Sequence, residues 1–140
     1  VYLSDSQVEY RHVPFFSVVL PDRKDRNVAE GRLRAGGTTY WKGIGVYSAS
    51  RLSCRLREGD RLFVAQVAID DSTGGAGSVG VRIYVDGKVA VDLGIVRGGE
   101  KPRSVAVPVE NASRLDLLVD FGERADELDR VDWLDARIVR

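Results

Sequence analysis

The sequence predicts an all-β protein, and three observations support that prediction. Short runs of residues alternate between apolar and polar with a period of two, as half-buried strands do. Glycine-rich turns separate these runs. No segment of ten or more residues shows the apolar period of 3.6 that an amphipathic helix requires. Eight or nine short strands with no helix to cover a sheet must form a sandwich or a barrel, and we favour a two-sheet antiparallel β-sandwich of the jelly-roll type.

The alternating runs predict the principal strands in chain order. They are Arg51–Leu56, Leu62–Ile69, Val79–Val85, Val105–Val109 and Leu115–Phe121. In the first run, Leu52, Cys54 and Leu56 share one face, which we expect to be buried. Asp86-Gly87 lies between two apolar runs and predicts a two-residue hairpin turn, because both residues tolerate positive φ. Near the C-terminus, Glu123–Arg130 predicts no more than one helical turn.

Composition excludes several classes of function. The 21 basic and 21 acidic residues give zero net charge, so the chain lacks the basic excess of a nucleic-acid-binding protein. The single cysteine, Cys54, excludes an internal disulfide, and the single histidine, His12, argues against most catalytic metal sites and triads. No apolar run is long enough for membrane insertion. The length of 140 residues predicts a single domain. Because the sequence contains no methionine, we expect residues 1–140 to come from a longer polypeptide.

Aromatic residues surround the glycine-rich segment 42–46, which has the sequence KGIGV. The segment lacks the second half of a phosphate-binding loop, so its glycines are better explained by a bulge or by close approach of two backbones. Trp41 and Tyr47 flank it and are candidates for stacking on a sugar ring. Tyr40 points to the opposite face from Trp41 in a strand. Packing in the core is the alternative role for each aromatic residue.

Acidic residues form two groups in the sequence. Asp70 and Asp71 end a predicted strand and precede a glycine-rich loop, so they are candidates either for binding calcium or for capping the loop through backbone N–H groups. The segment 123–135 is acidic, whereas 22–34 carries five basic and three acidic residues. Acidic pairs also suggest a glycosidase, but the chain is short and has no glutamate at a strand end.

Four sequence blocks in order resemble the NPCBM family of carbohydrate-binding modules, which occur as accessory domains of secreted bacterial glycoside hydrolases and other large proteins. The blocks are Tyr40–Ser50, Val67–Asp71, Gly77–Lys88 and Asp132–Ile138. The resemblance extends over nearly the whole chain. It implies a galactose-binding-domain-like sandwich whose ligands meet the loops at one end, often with a structural calcium. It also implies an extracellular or cell-surface location.

The resemblance implies a non-catalytic, lectin-like module that binds a saccharide of galactose-like type and targets attached catalytic or surface domains to glycans. The candidate binding residues are Trp41, Tyr47, Asp71, Arg130 and Asp132. Tyr47 and Arg130 stand where related modules usually or often have histidine. In the last block, Trp133 is a candidate for packing between the sheets. The alternative function is a protein–protein or cell-surface interaction module that has lost sugar binding.

Overall fold

Two five-stranded antiparallel sheets pack face to face in the computed structural model, which describes residues 1–6, 8–12, 22–27, 31–122 and 130–140. The first sheet contains, in spatial order, β1 (Glu9–His12), β6 (Ser50–Arg55), β11 (Arg114–Phe121), β8 (Ser78–Val85) and β9 (Lys88–Arg97). The second contains β10 (Arg103–Pro108), β7 (Leu62–Ile69), β12 (Arg130–Val139), β5 (Gly43–Tyr47) and β2 (Arg23–Lys24). The predicted β-sandwich is therefore confirmed.

A third, two-stranded sheet and two short 3-10 helices complete the described elements. The small sheet is the hairpin of β3 (Leu33–Ala35) and β4 (Thr38–Tyr40), and the 3-10 helices are Leu3–Asp5 and Asp71–Thr73. The described residues contain twelve strands, more than the eight or nine predicted, because strands of two or three residues show no readable alternation. Of the predicted helical turn, residues 123–129 lie outside the described residues, and Arg130 begins β12.

The core lies between the two large sheets. Trp133 and Phe63 are both 0% exposed at its centre, which confirms that Trp133 packs between the sheets. The predicted face of Leu52, Cys54 and Leu56 is buried as expected. Burial of apolar surface at about 25 cal/mol per Å² makes this core the main stabilising contribution to the fold.

The turn between β8 and β9 has the predicted geometry. Asp86 and Gly87 adopt φ of 49° and 79°, so both central residues have the positive φ of a type I′ turn. This turn fixes the pairing of the two longest neighbouring strands of the first sheet. Within the described ranges, no helix has the length and apolar character needed to cross a membrane.

The β3–β4 hairpin covers the outer face of the second sheet and forms a second, smaller apolar cluster there. Leu33 and Ala35 pack against Ala68 and Leu134 of that sheet. The backbones of β5 and β12 approach each other closely beneath the hairpin, as the glycines of the 42–46 segment predicted. A Cβ at Gly43 would lie 2.4 Å from the Trp133 carbonyl oxygen.

Candidate functional site

Tyr47 and Arg130 are neighbours at one end of the second sheet. They face each other across the β5–β12 pairing, Tyr47 at the end of β5 and Arg130 at the start of β12. Alternation along β5 buries Ile44 and Val46 in the core and leaves Tyr47 half-buried on the outer face. Tyr47 and Arg130 are therefore adjacent in the fold although 83 positions separate them in the sequence.

Asp71 lies beside this pair, on the 3-10 helix that follows β7. One Arg130 guanidinium nitrogen lies 3.4 Å from both the carbonyl and the hydroxyl oxygen of Ser72, the next residue after Asp71. The Asp71 carboxylate accepts hydrogen bonds from the backbone N–H groups of Gly36 and Gly37 at 3.1 and 2.9 Å. We call Tyr47, Asp71 and Arg130 the loop-end surface.

Asp70 caps the loop from within and does not offer free oxygen atoms to a cation. Its side chain accepts hydrogen bonds from Asn27 Nδ2 at 3.0 Å, from the Arg34 backbone N–H at 3.1 Å and from the Ser72 backbone N–H at 2.9 Å. Both oxygens of Asp70 and of Asp71 thus face N–H donors, whose partial positive charge repels a metal ion. The carboxylates do not fit the predicted calcium, and the loop-capping alternative matches their contacts.

Asp132 is buried, whereas its predicted role as a sugar ligand requires an accessible side chain. It is 0% exposed, because the β3–β4 hairpin and the segment at Asn27 cover the outer face of β12 where its side chain lies. A side chain sealed from solvent does not reach a saccharide hydroxyl. The burial of Asp132 therefore contradicts the prediction that it binds a saccharide directly.

Asp70 and Asp132 form a buried acidic pair under the loop-end surface. Neither carboxyl oxygen of Asp132 receives a hydrogen bond of ordinary geometry. Burial, and then the adjacent Asp70 carboxylate, raise the pKa of Asp132 well above its usual value. Burial alone would also raise the pKa of Asp70, but hydrogen bonds, first from Asp132 and then from Ser72, outweigh it and lower that pKa. The opposite directions of the two pKa shifts favour a neutral Asp132 carboxyl beside an ionised Asp70.

Trp41 lies apart from the loop-end surface, at the open end of the β3–β4 hairpin. Its side chain is 66% exposed, and the Arg32 guanidinium carbon lies 4.3 Å from the centre of its ring. Gly36, at the turn bound by Asp71, is four residues along the strand from Arg32, which corresponds to about 13 Å of extended chain. The structure thus places Tyr47 and Arg130 side by side next to the loop that carries Asp71, and it leaves Trp41 on the flank.

Two residues that the sequence pattern did not single out organise this region. Asn27 connects three segments, because its amide nitrogen donates to Asp70 and to the Arg32 carbonyl oxygen, and its amide oxygen accepts from the Gly31 N–H. Arg32 covers one face of Trp41. No local sequence signal predicts either role, because β3 has only three residues and Asn27 acts through contacts with distant segments.

Comparison with known proteins gives a consistent assignment. A family model described as the NPCBM/NEW2 domain matches residues 1–139. The chain is 32% identical over 117 residues to alpha-1,3-galactosidase B of Akkermansia muciniphila, and the match covers 81% of this chain and 15% of that protein.

Two solved structures share the fold. One is the structure of CBM51-2 in complex with GlcNAc and INT domains from Clostridium perfringens ZmpB, with a TM-score of 0.85, 28% identity, and coverage of 98% of this chain and 30% of that chain. The other is CBM51 from Clostridium perfringens GH95 in complex with methyl-galactose, with a TM-score of 0.86, 24% identity and coverage of 99% of both chains.

The comparisons bear on the whole domain and not on a single motif. The chain spans 15% of the length of the galactosidase and aligns with nearly all of one solved carbohydrate-binding module. The fold inferred from strand alternation and the fold of these modules agree, and the four sequence blocks lie within the matched residues. The chain therefore belongs to the NPCBM/NEW2 family of carbohydrate-binding modules.

Proposed function

We propose that this chain binds a saccharide of galactose-like type at the loop-end surface, without catalysis, and holds an attached domain on its glycan target. The observation that carries the proposal is that an aromatic and a guanidinium side chain are cross-strand neighbours at one end of the second sheet, beside the loop that carries Asp71. Tyr47 and Arg130 are cross-strand neighbours, and Arg130 reaches the residue next to Asp71. The solved relative with methyl-galactose bound supports a galactose-like ligand.

The three side chains match the chemistry of a pyranose. The ring of Tyr47 offers an apolar face for the C–H groups of the sugar, and its hydroxyl is both a donor and an acceptor. Arg130 supplies N–H donors to hydroxyl oxygens, because its contacts to Ser72 at 3.4 Å are long and leave those donors open to competition. Asp71 keeps a second lone pair on each oxygen to accept from sugar hydroxyls.

Trp41 extends this surface toward a longer ligand. About 13 Å of extended chain separates Arg32, which Trp41 contacts, from Gly36 at the turn bound by Asp71. This length exceeds one sugar ring and suits a second or third ring of an oligosaccharide. A monosaccharide at Tyr47 does not reach Trp41. We therefore assign Trp41 to an outer position of the proposed site.

A non-catalytic role follows from where the acidic residues lie. Asp70 and Asp132, the adjacent acidic pair in this region, are 1% and 0% exposed, so neither carboxyl group is placed to touch a substrate. Among the described residues, no cluster of histidine, cysteine or acidic residues is arranged to hold a metal ion. The contribution of such a module to an attached enzyme is a raised local concentration on the glycan.

The attached domains and the location are parts of the same proposal. The chain matches only 15% of the length of the bacterial galactosidase, which is consistent with one domain of a longer polypeptide. We propose a catalytic or surface domain as its covalent partner and an extracellular or cell-surface location, where bacterial glycosidases meet host or environmental glycans.

The proposal is tested by calorimetric titration and by a broad glycan array. Tyr47→Ala is expected to weaken monosaccharide binding about tenfold, about 1.4 kcal/mol, because the stacking surface is lost. Tyr47→Phe keeps the ring and separates stacking from the hydroxyl contact.

Trp41→Ala is expected to leave monosaccharide binding nearly unchanged and to weaken oligosaccharide binding. Tyr84→Ala, on the opposite sheet, is the matched control.

The alternative interaction module predicts a different surface and a different result. A module that had lost sugar binding would bury Tyr47 and Trp41 and present a flat apolar patch, whereas Trp41 is 66% exposed beside a guanidinium. No retention of any glycan on a broad array would reject the proposed function in favour of that alternative.

A further inference from the structure

The outward face of the β3–β4 hairpin carries two arginines and a tryptophan. Leu33 and Ala35 are buried against the second sheet, so alternation places Arg32 and Arg34 together on the opposite, exposed face. Arg34 pairs with Thr39 across the hairpin, and the contact between Arg32 and Trp41 continues the same register. The hairpin thus presents two guanidinium groups, a hydroxyl and an indole ring on one surface.

The guanidinium of Arg32 is held in place but retains its hydrogen-bonding capacity. Its Cζ lies 4.3 Å from the centre of the Trp41 ring, which is a cation–π contact. Such a contact is not a hydrogen bond, so the five N–H donors of the guanidinium keep their capacity for an anion. Within the described part of the chain, no carboxylate lies in ion-pairing distance of Arg32. Stacking therefore orders the group before any anion arrives.

The guanidinium of Arg34 is also weakly engaged. Its nearest acidic neighbour is Asp71, with 3.8 Å between Nε and Oδ2, which is longer than a hydrogen bond. The two Asp71 oxygens already accept from the Gly36 and Gly37 N–H groups. The Arg34 side chain is 60% exposed, so its donors are accessible to a ligand.

We propose that this hairpin face is a second subsite that binds the sulfate or carboxylate group of an anionic saccharide. Arg32 and Arg34 bind the anionic group with in-plane N–H donors, as guanidinium groups do with planar and tetrahedral oxyanions. The part of the Trp41 ring that Arg32 does not cover contacts the sugar that carries the anionic group. The inference rests on the proposed function, because the loop-end surface holds the neutral part of the same glycan.

Matched pairs of glycans test the inference. An array carries neutral galactosides and their 6-sulfated and uronic acid counterparts, and titrations measure the ratio of anionic to neutral affinity. We expect a ratio of about five to ten, since each exposed ion pair contributes up to about fivefold. The preference should fall as sodium chloride is raised, because exposed charge pairs are screened. The sulfate and carboxylate arms identify which anion is preferred.

Variants locate the preference on the hairpin. Arg34→Gln and Arg32→Gln are each expected to lower the ratio by about threefold, within the range of a single exposed pair. Arg32→Lys keeps the charge but loses the planar donors, so it should restore only part of the ratio. Arg55→Gln removes the same charge from an exposed position on the first sheet and should leave the ratio unchanged.

The outcomes separate this inference from the proposed function. Binding of neutral galactosides with a ratio near one would overturn the anionic subsite and leave the proposed function intact. A preference that Arg55→Gln reduces as much as Arg34→Gln would also overturn it, because general charge attraction would then be the cause. Equal retention of single-stranded DNA and sulfated glycans would show binding to any polyanion and would likewise reject it.

Discussion

Gly45→Ala is expected to destabilise the protein by about 2–3 kcal/mol, although alanine is ordinarily the better residue within a strand. A Cβ at Gly45 would lie 2.5 Å from the Arg26 carbonyl oxygen and 2.8 Å from the Asn27 Cα. Both are backbone atoms, so a side-chain rotation does not relieve the clash. Thermal and chemical unfolding of the variant measure the effect.

The expected loss has a specific structural route. Displacing Asn27 from Gly45 lengthens its hydrogen bond to the buried Asp70 carboxylate and its bond to the Arg32 carbonyl oxygen. Arg26, Asn27 and the start of β3 then separate from the second sheet. An increase in exposure of the small apolar cluster at Leu33 should accompany the loss of stability, visible as faster amide exchange in β3 and β4.

Gly80→Ala is the matched control. Gly80 lies inside β8, and the nearest atom to its Cβ would be the Phe121 carbonyl oxygen at 3.7 Å, an ordinary contact. We expect this variant to be neutral or stabilising by up to about 1 kcal/mol through reduced freedom of the unfolded chain. Equal effects at Gly45 and Gly80 would contradict the close-approach explanation.

The fold was largely predictable because its signals are local. Alternation in segments such as Leu62–Ile69 reports which face is buried without reference to any partner strand. The Asp86-Gly87 turn is likewise encoded by two adjacent residues that accept positive φ. The β3–β4 hairpin has strands of only three residues, too short for alternation to be read, although Gly36-Gly37 marks its turn.

The candidate site was less predictable because it depends on pairing between distant segments. The neighbourhood of Tyr47 and Arg130 arises from the register of β5 with β12, which no local pattern specifies. The burial of Asp132 arises from coverage of β12 by the Asn27 segment, more than one hundred positions earlier in the chain. Residue type alone therefore identified acidic candidates but not which of them reaches the surface.

Asp132→Asn is expected to stabilise the protein by about 1–2 kcal/mol near neutral pH. Asp132 is fully buried, its oxygens receive no ordinary hydrogen bond, and Asp70 is an acidic neighbour. An asparagine amide can donate to Asp70 at every pH and has no charge to desolvate. The carboxyl of Asp132 is ionised in the unfolded chain at pH 7, so folding must either neutralise it or bury its charge, and the amide avoids that cost. Unfolding by urea at pH 7 measures the gain.

Asp70→Asn is expected to destabilise the protein, in contrast to Asp132→Asn, although it neutralises the other member of the same acidic pair. Asp70 accepts from Asn27 Nδ2 and from the Arg34 and Ser72 N–H groups, and an amide replaces one acceptor oxygen by a donor. At least one buried donor then loses its acceptor, at a cost of about 1–2 kcal/mol. Stabilisation by both variants would show that simple charge repulsion governs the pair.

The pH dependence separates the two acids further. The raised pKa of Asp132 means that its contribution to stability is complete below the ordinary value of 3.8 and is lost as pH rises through the folded-state pKa. The lowered pKa of Asp70 means that its contribution is complete above 3.8 and is lost as pH falls through the folded-state pKa. The gain from Asp132→Asn should therefore be near zero at about pH 4 and grow toward about pH 8. A gain in stability that does not change between about pH 4 and about pH 8 would indicate instead that asparagine packs better than aspartate, because a packing effect does not depend on the protonation of Asp132.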